Sequence, residues 1–179
     1  MSVLDHKIDF AAIISVTKAN PNGDPLNGNR PRQNYDGKGE MSDVCIKRKI
    51  RNRLQDMGDS IFVQSQDRTD DGFQSLRDRA DSNETLKKAL VDKKSKITSD
   101  EFASVACSEW TDVRSFGQVF AFKGSELSVG VRGPVSIQTA VSVDPVDVTS
   151  MQITKSVNST TSDTKGSDTM GMKHFVEFG

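Results

Sequence analysis

The chain has 179 residues, a length that suits one domain with an elaboration or two small domains, and it is long enough to bury a core. With 34% apolar and 27% charged residues the core is modest and the surface highly charged, and one Trp and one Tyr beside nine Phe exclude a broad aromatic platform. The formal net charge of −1 argues against a uniformly basic nucleic-acid binder. The charge is nevertheless segregated. Residues 17–55 hold nine Lys/Arg against four Asp/Glu, whereas residues 56–112 hold eight against thirteen. Such a chain can meet a polyanion with one face and a basic neighbour with another, although charge runs also serve simply as solvated faces.

In chain order, residues Lys7–Thr17 predict a first strand. Ile8, Phe10, Ala12, Ile14 and Val16 alternate onto one face, and Ala11 and Ile13 make the other face apolar too, which predicts a central, covered strand. Asn20–Gly39 is a long loop dense in turn formers, and the presence of Arg30 and Arg32 in it favours a functional reading. Ser42 and Asp43 suit a helix start, and the helix runs to about Met57, before Gly58. Ile46, Ile50, Leu54 and Met57 make a narrow apolar stripe expected to pack on a sheet, flanked by the basic run Lys47-Arg48-Lys49-Ile50-Arg51-Asn52-Arg53.

Residues 58–111 read as a polar, helical, acidic insertion, with a short helix over Glu84–Lys94. A capping box at Thr98-Ser99-Asp100-Glu101 leads into a second helix reaching Trp110. Strands follow at Val119–Phe122, at Val135–Val143 between Gly133-Pro134 and Asp144-Pro145, at Met151–Val157, and at Met172–Phe178. Ser156–Gly171, rich in Ser, Thr, Asp and Gly, is a flexible loop or hairpin tip. The plan is α+β, and a ferredoxin-like or RRM-like core fits its first half. Such a core would still need a helix and a strand after Gly179, so the chain is either a fragment or completes its sheet differently.

Little here suggests a catalyst. His6 and His174 have no motif pairing them with a Ser or Cys, and Cys45 and Cys107 are spaced neither for a disulfide framework nor for zinc. Asp24, Asp36 and Asp43 share no metal-ligand spacing, and Gly23, Gly28, Gly37 and Gly39 form no phosphate-loop pattern. No metal and no cofactor are expected. The N-terminus lacks a signal-peptide layout and no apolar stretch approaches a membrane span, so a cytoplasmic protein with no membrane partner is expected. Phosphate binding is better supported. Five cations within seven residues of a helix, preceded by a loop of Asn and Gly, suit contacts to consecutive phosphates by charge and shape.

These residues also carry a resemblance. Asn20-Pro21-Asn22-Gly23-Asp24-Pro25, Arg30-Pro31-Arg32 and Asp43–Asn52 resemble the backbone subunit of type I-C CRISPR Cascade, the seventh numbered Cas family. The likeness continues through Asp112–Phe120, Val131–Gln138, Ile153–Asn158 and Gly166–His174. It implies a modified RRM-like palm over 1–57 and 112–179, helical fingers over 58–111, and a thumb-like hairpin loop at about 156–171. It implies a non-catalytic RNA-binding subunit that polymerises on one CRISPR RNA beside other copies of itself and other Cascade subunits. The guide is then presented for pairing with target DNA in antiviral defence. The RNA-binding set it implies is Lys18, Asn20, Asn22, Arg30, Arg32, Lys47, Arg48, Lys49, Arg51, Arg53, Arg114, Phe116, Gln118, Lys155 and Met170, with Met170 a wedge against a base. Family members run beyond residue 179, which implies a C-terminally truncated palm. Two alternatives are a metal-dependent endoribonuclease of a type III-like complex using Asp24 or Asp36, and a truncated regulator that docks on the assembly.

Overall fold

The computed structural model describes residues 4–92, 95–125, 127–154 and 170–179. In chain order the elements are β1 (Thr17–Ala19), β2 (Gly23–Asp24), β3 (Arg30–Pro31), β4 (Lys38–Met41) and α1 (Asp43–Asp56). There follow α2 (Leu76–Asp81), α3 (Glu84–Val91), α4 (Ser99–Glu109) and α5 (Thr111–Phe116). The remaining strands are β5 (Gly117–Phe120), β6 (Val129–Arg132), β7 (Ala140–Pro145), β8 (Val148–Thr154) and β9 (Met170–Phe178). The strands form small antiparallel sheets, so the protein is mixed α and β, compatible with an α+β plan. The chain divides into two compact units, residues 1–42 with 139–179, and residues 43–138.

The first unit is built from strands. The β8 and β9 strands pair over seven residues, from Val148 opposite Val176 to Thr154 opposite Met170. The β1 strand adds to the other edge of β9, giving the order β1-β9-β8. The β4–β7 pair carries an irregularity between Lys38 and Glu40, where the Gly39 N–H turns to Ser142 Oγ at 2.9 Å. Met41, Val146, Phe175 and Val176 are among the buried apolar residues of the first unit.

The predicted first strand is corrected here. Of Lys7–Thr17 only Thr17 is strand, at the start of β1, and Ile8, Phe10, Ile13 and Ile14 are exposed, Ile13 almost completely at 98%. Period-two alternation shows which face a residue would take, but a strand also needs a backbone partner. In the β1–β9 register Thr17 lies opposite Phe178, and Val16 exchanges both hydrogen bonds with Gly179 at 2.7 and 2.9 Å. Residues 8–15 lie past that pairing and join no other described strand. The strand expected from Val135 likewise begins only at Ala140 and runs through Pro145, paired with β4.

The second unit has a closed core. Phe62, Phe102, Phe120, Leu86, Leu90 and Val113 are all 1% exposed or less, with Trp110 at 3%. Phe62 stands 4.6 Å from Trp110 and 5.0 Å from Phe120, and Phe102 meets Phe120 edge-on at 5.1 Å, offset and tilted geometries that aromatic quadrupoles favour. The predicted capping box at α4 forms both its bonds: Glu101 N–H donates to Thr98 Oγ1 at 3.2 Å, and Thr98 N–H to Glu101 Oε2 at 2.9 Å. The helix expected over Glu84–Lys94 is α3, capped by Asn83. Gly117 turns the chain from α5 into β5 at φ 79°, where a Cβ would stand 2.4 Å from the Val131 carbonyl oxygen.

Candidate nucleic-acid interface

The cations of α1 differ in their surroundings. Lys47 pairs with Asp43 one turn back at 3.1 Å, and that hydrogen bond holds the Asp43 carboxyl below its ordinary range. Arg48 reaches Asp67 at 3.2 Å, both side chains well exposed. The Asp67 carboxyl is also lowered, chiefly by the Ser65 hydroxyl and then by its own backbone N–H. Such exposed pairs are weak and open readily to a competing polyanion. Lys49 and Arg53 are exposed and have no ion-pair partner among the described residues. They sit four apart, so their side chains project from one face one turn apart.

Arg51 is different. Its Nε donates to Asp112 Oδ2 at 2.8 Å, with 14% of the Arg51 side chain and none of Asp112 exposed. Its guanidinium lies 5.1 Å from the centre of the Phe116 ring. Asp112 also accepts the Phe62 N–H at 2.7 Å and the Val63 N–H at 3.1 Å, so one carboxylate ties α1, α5 and the 62–63 segment together. Nothing local in the sequence marks Asp112 as this node, because its partners lie 49 to 61 residues away. The apolar stripe of α1 is half-buried at Ile46, Ile50 and Leu54, while Met57, beyond the helix end, is 66% exposed. Arg114 is exposed on α5, and Gln118 on β5 donates to the Val119 carbonyl at 3.0 Å.

In the first unit the asparagines of the loop hold its shape. Asn20 Nδ2 donates to the Asn29 carbonyl at 2.6 Å. Asn22 Oδ1 accepts from the Ser42 N–H at 2.9 Å and from its hydroxyl at 3.0 Å. Asp24 caps the single turn Pro25–Asn27 by accepting the Leu26 N–H, and stands 3.6 Å from Arg32. Asp36 is exposed in the adjacent turn. Among the described residues no three His, Cys, Asp or Glu side chains gather as a metal cage would require.

Arg30 Nη1 donates to Ser150 Oγ at 2.7 Å, and Ser150 lies directly opposite His174 in the β8–β9 ladder. Lys18 is exposed on β1. Met170 opens β9, 63% exposed and opposite Thr154. Lys155 and residues 156–169 of the expected thumb-like loop lie outside the described residues. No helix among the described residues is long and apolar enough to cross a membrane.

A long basic helix lies in one unit and an asparagine-braced loop with Lys and Arg in the other. The family follows from comparison with known proteins: the family model for CRISPR-associated protein Cas7 matches residues 6–179, and the chain belongs to that family. Among curated proteins it is similar to the CRISPR-associated protein Cas7 of Haloferax volcanii, at 32% identity over 129 residues. That stretch covers 68% of this chain and 34% of the relative, so the match spans about a third of the relative's length.

Proposed function

We propose that this chain is a non-catalytic backbone subunit of a type I-C-like CRISPR effector, binding the guide RNA through its phosphates and polymerising along it with other copies and other Cascade subunits. The guide's bases are left for pairing with target DNA, protein reading shape while pairing reads sequence, the same division of labour used by other RNA-guided effectors. In this reading the first unit supplies much of an RRM-like palm, residues 58–111 the fingers, and the β8–β9 hairpin the base of a thumb.

The observation that carries the proposal is the pair Lys49 and Arg53, two exposed cations one helical turn apart without carboxylate partners among the described residues, in a chain of this family. Lys47, Arg48 and Arg114 join them as phosphate contacts, as do Lys18, Arg30 and Arg32 in the first unit. Arg51 and Phe116 position α1, and Asn20 and Asn22 shape the loop. Gln118, Lys155 and Met170 complete the proposed RNA-contacting set.

The test is a titration of the full chain with fluorescent single-stranded RNA across a salt series. Wild type should bind with affinity that falls steeply with salt, and Lys49→Glu with Arg53→Glu should make the log–log slope shallower by about 0.7 per lost contact. Equal affinity and slope in the folded double variant would remove α1 from the interface.

A further inference from the structure

The loop of the first unit carries the dipeptide Asn-Gly twice, at Asn22-Gly23 and at Asn27-Gly28. An asparagine side chain followed by glycine is open to attack by the next backbone nitrogen, because glycine has no side chain to obstruct the approach. The two pairs share this chemistry, and the fold treats them oppositely.

Asn22 is locked. Its Oδ1 accepts from the Ser42 N–H at 2.9 Å and from the Ser42 hydroxyl at 3.0 Å, and its carbonyl accepts the Arg32 N–H at 3.0 Å. Gly23 lies opposite Pro31 in the β2–β3 pair, packed so closely that a Cβ there would collide with the Asn29 side chain. For the Gly23 nitrogen to reach the Asn22 carboxamide, these bonds would have to open together.

Asn27 is free of such restraint. It ends the single turn Pro25–Asn27, is exposed, and no hydrogen bond holds its side chain among the described residues. Gly28 is exposed too, sits at φ 58°, and has nothing within 4 Å of the place a Cβ would take. A rotation that brings the Gly28 nitrogen onto the Asn27 side chain therefore meets no obstruction at Gly28.

We propose that Asn27 is a site of spontaneous deamidation, from which the fold protects Asn22. The Gly28 nitrogen gives up its proton to solvent and bonds to Asn27 Cγ, and the Cγ–Nδ2 bond breaks to release ammonia. The cyclic imide so formed takes up water. Opening at the side-chain carbonyl gives aspartate, and opening at the main-chain carbonyl gives isoaspartate. No electrons are exchanged, and water is the only co-reactant. Either product puts a carboxylate into the loop that holds Arg30 and Arg32. Isoaspartate also lengthens the main chain inside a turn closed by the Asn29 N–H on the Asp24 carbonyl at 2.8 Å. The modification does not depend on what the loop binds. Its consequence, a chain that loses its hold on RNA as it ages, rests on the guide-binding reading.

The experiment incubates the full folded chain in mildly alkaline buffer, digests it with trypsin and fragments the peptide spanning residues 19–32, so that the mass gain at each asparagine is read separately. Folded protein should convert Asn27 at least about tenfold faster than Asn22, which must first leave two hydrogen bonds. In urea-unfolded chain the two should convert at similar rates. Asn22 converting as fast as Asn27 in the folded chain overturns the proposal, as does a folded chain in which Asn27 stays intact while the unfolded chain reacts. Titration of the same samples with fluorescent single-stranded RNA tests the consequence. Aged wild type should bind more weakly than fresh, and aged Asn27→Ser should match its own fresh form. Protein converted at Asn27 that binds as tightly as fresh protein overturns the effect on RNA. Fresh protein that binds no RNA overturns the guide-binding reading and leaves the modification standing.

Discussion

The two units solve the problem of stability differently. The second closes an aromatic core around Phe62, Phe102, Trp110 and Phe120 and buries Asp112 with three donors. The first is held by strand ladders and side-chain-to-backbone bonds, buries few apolar residues, and leaves Val143 87% and Ile13 98% exposed. The difference teaches where a mutation will be felt as stability and where as binding. In the second unit a change at a buried node should unfold it. In the first, most exposed groups can change with the fold intact.

The sharpest way to break that comparison is Asp112→Ala. It strands the Arg51 charge and two backbone N–H groups, and should cost about 3–5 kcal/mol in denaturant unfolding. A loss under 1 kcal/mol would contradict the node. Gly117→Ala comes next, because a Cβ there meets backbone rather than a movable side chain and φ is positive. It should cost more than about 1 kcal/mol and lower the melting temperature.

Acid should act on the second unit through Asp71, whose carboxyl is held below its ordinary value of 3.8 first by the Arg79 hydrogen bond. Arg79 is buried, and its Nε lies 2.5 Å from Asp71. A lowered native value means that Asp71's contribution is fully present above pH 3.8 and is lost as pH falls through the native value. Unfolding midpoints measured between neutral pH and pH 3 should therefore drop at the acid end, and by less in Asp71→Asn, which starts lower.

Thr98→Ala removes one half of the α4 capping box and should cost about 1 kcal/mol by the same measurement. Val143→Ser, on the open face of the first unit, should change stability by no more than about 0.5 kcal/mol. A larger loss there would mean that this face is covered in solution.

Local patterns were legible in the sequence where local physics decides the outcome. The capping box at Thr98 and Glu101, the α1 helix from Asp43 and the Asn83-capped α3 all arise from residues close together in the chain. The alternation over residues 8–16 misled because a strand depends on a distant partner, and the β1 ladder pairs no further back than Val16. Asp112 was visible only as part of a motif, since its burial depends on Phe62, Val63 and Arg51 arriving from elsewhere. The basic run on α1 was legible as charge, but which cations stand open was not. Arg51 and Lys49 read alike in sequence, yet Arg51 is sealed against Asp112 while Lys49 stands exposed. His174 reads as an ordinary strand histidine, and only the register that sets it opposite Ser150 reveals its hydrogen bond to that hydroxyl.

The central claim is that this protein grips a guide, and the most direct measurement is to purify the full chain from cells carrying a CRISPR array and sequence the nucleic acid that comes with it. The account predicts an assembly larger than a monomer, carrying spacer RNA flanked by repeat sequence and releasing it in high salt. A monomer that elutes without nucleic acid, and ignores added guide RNA, would contradict it.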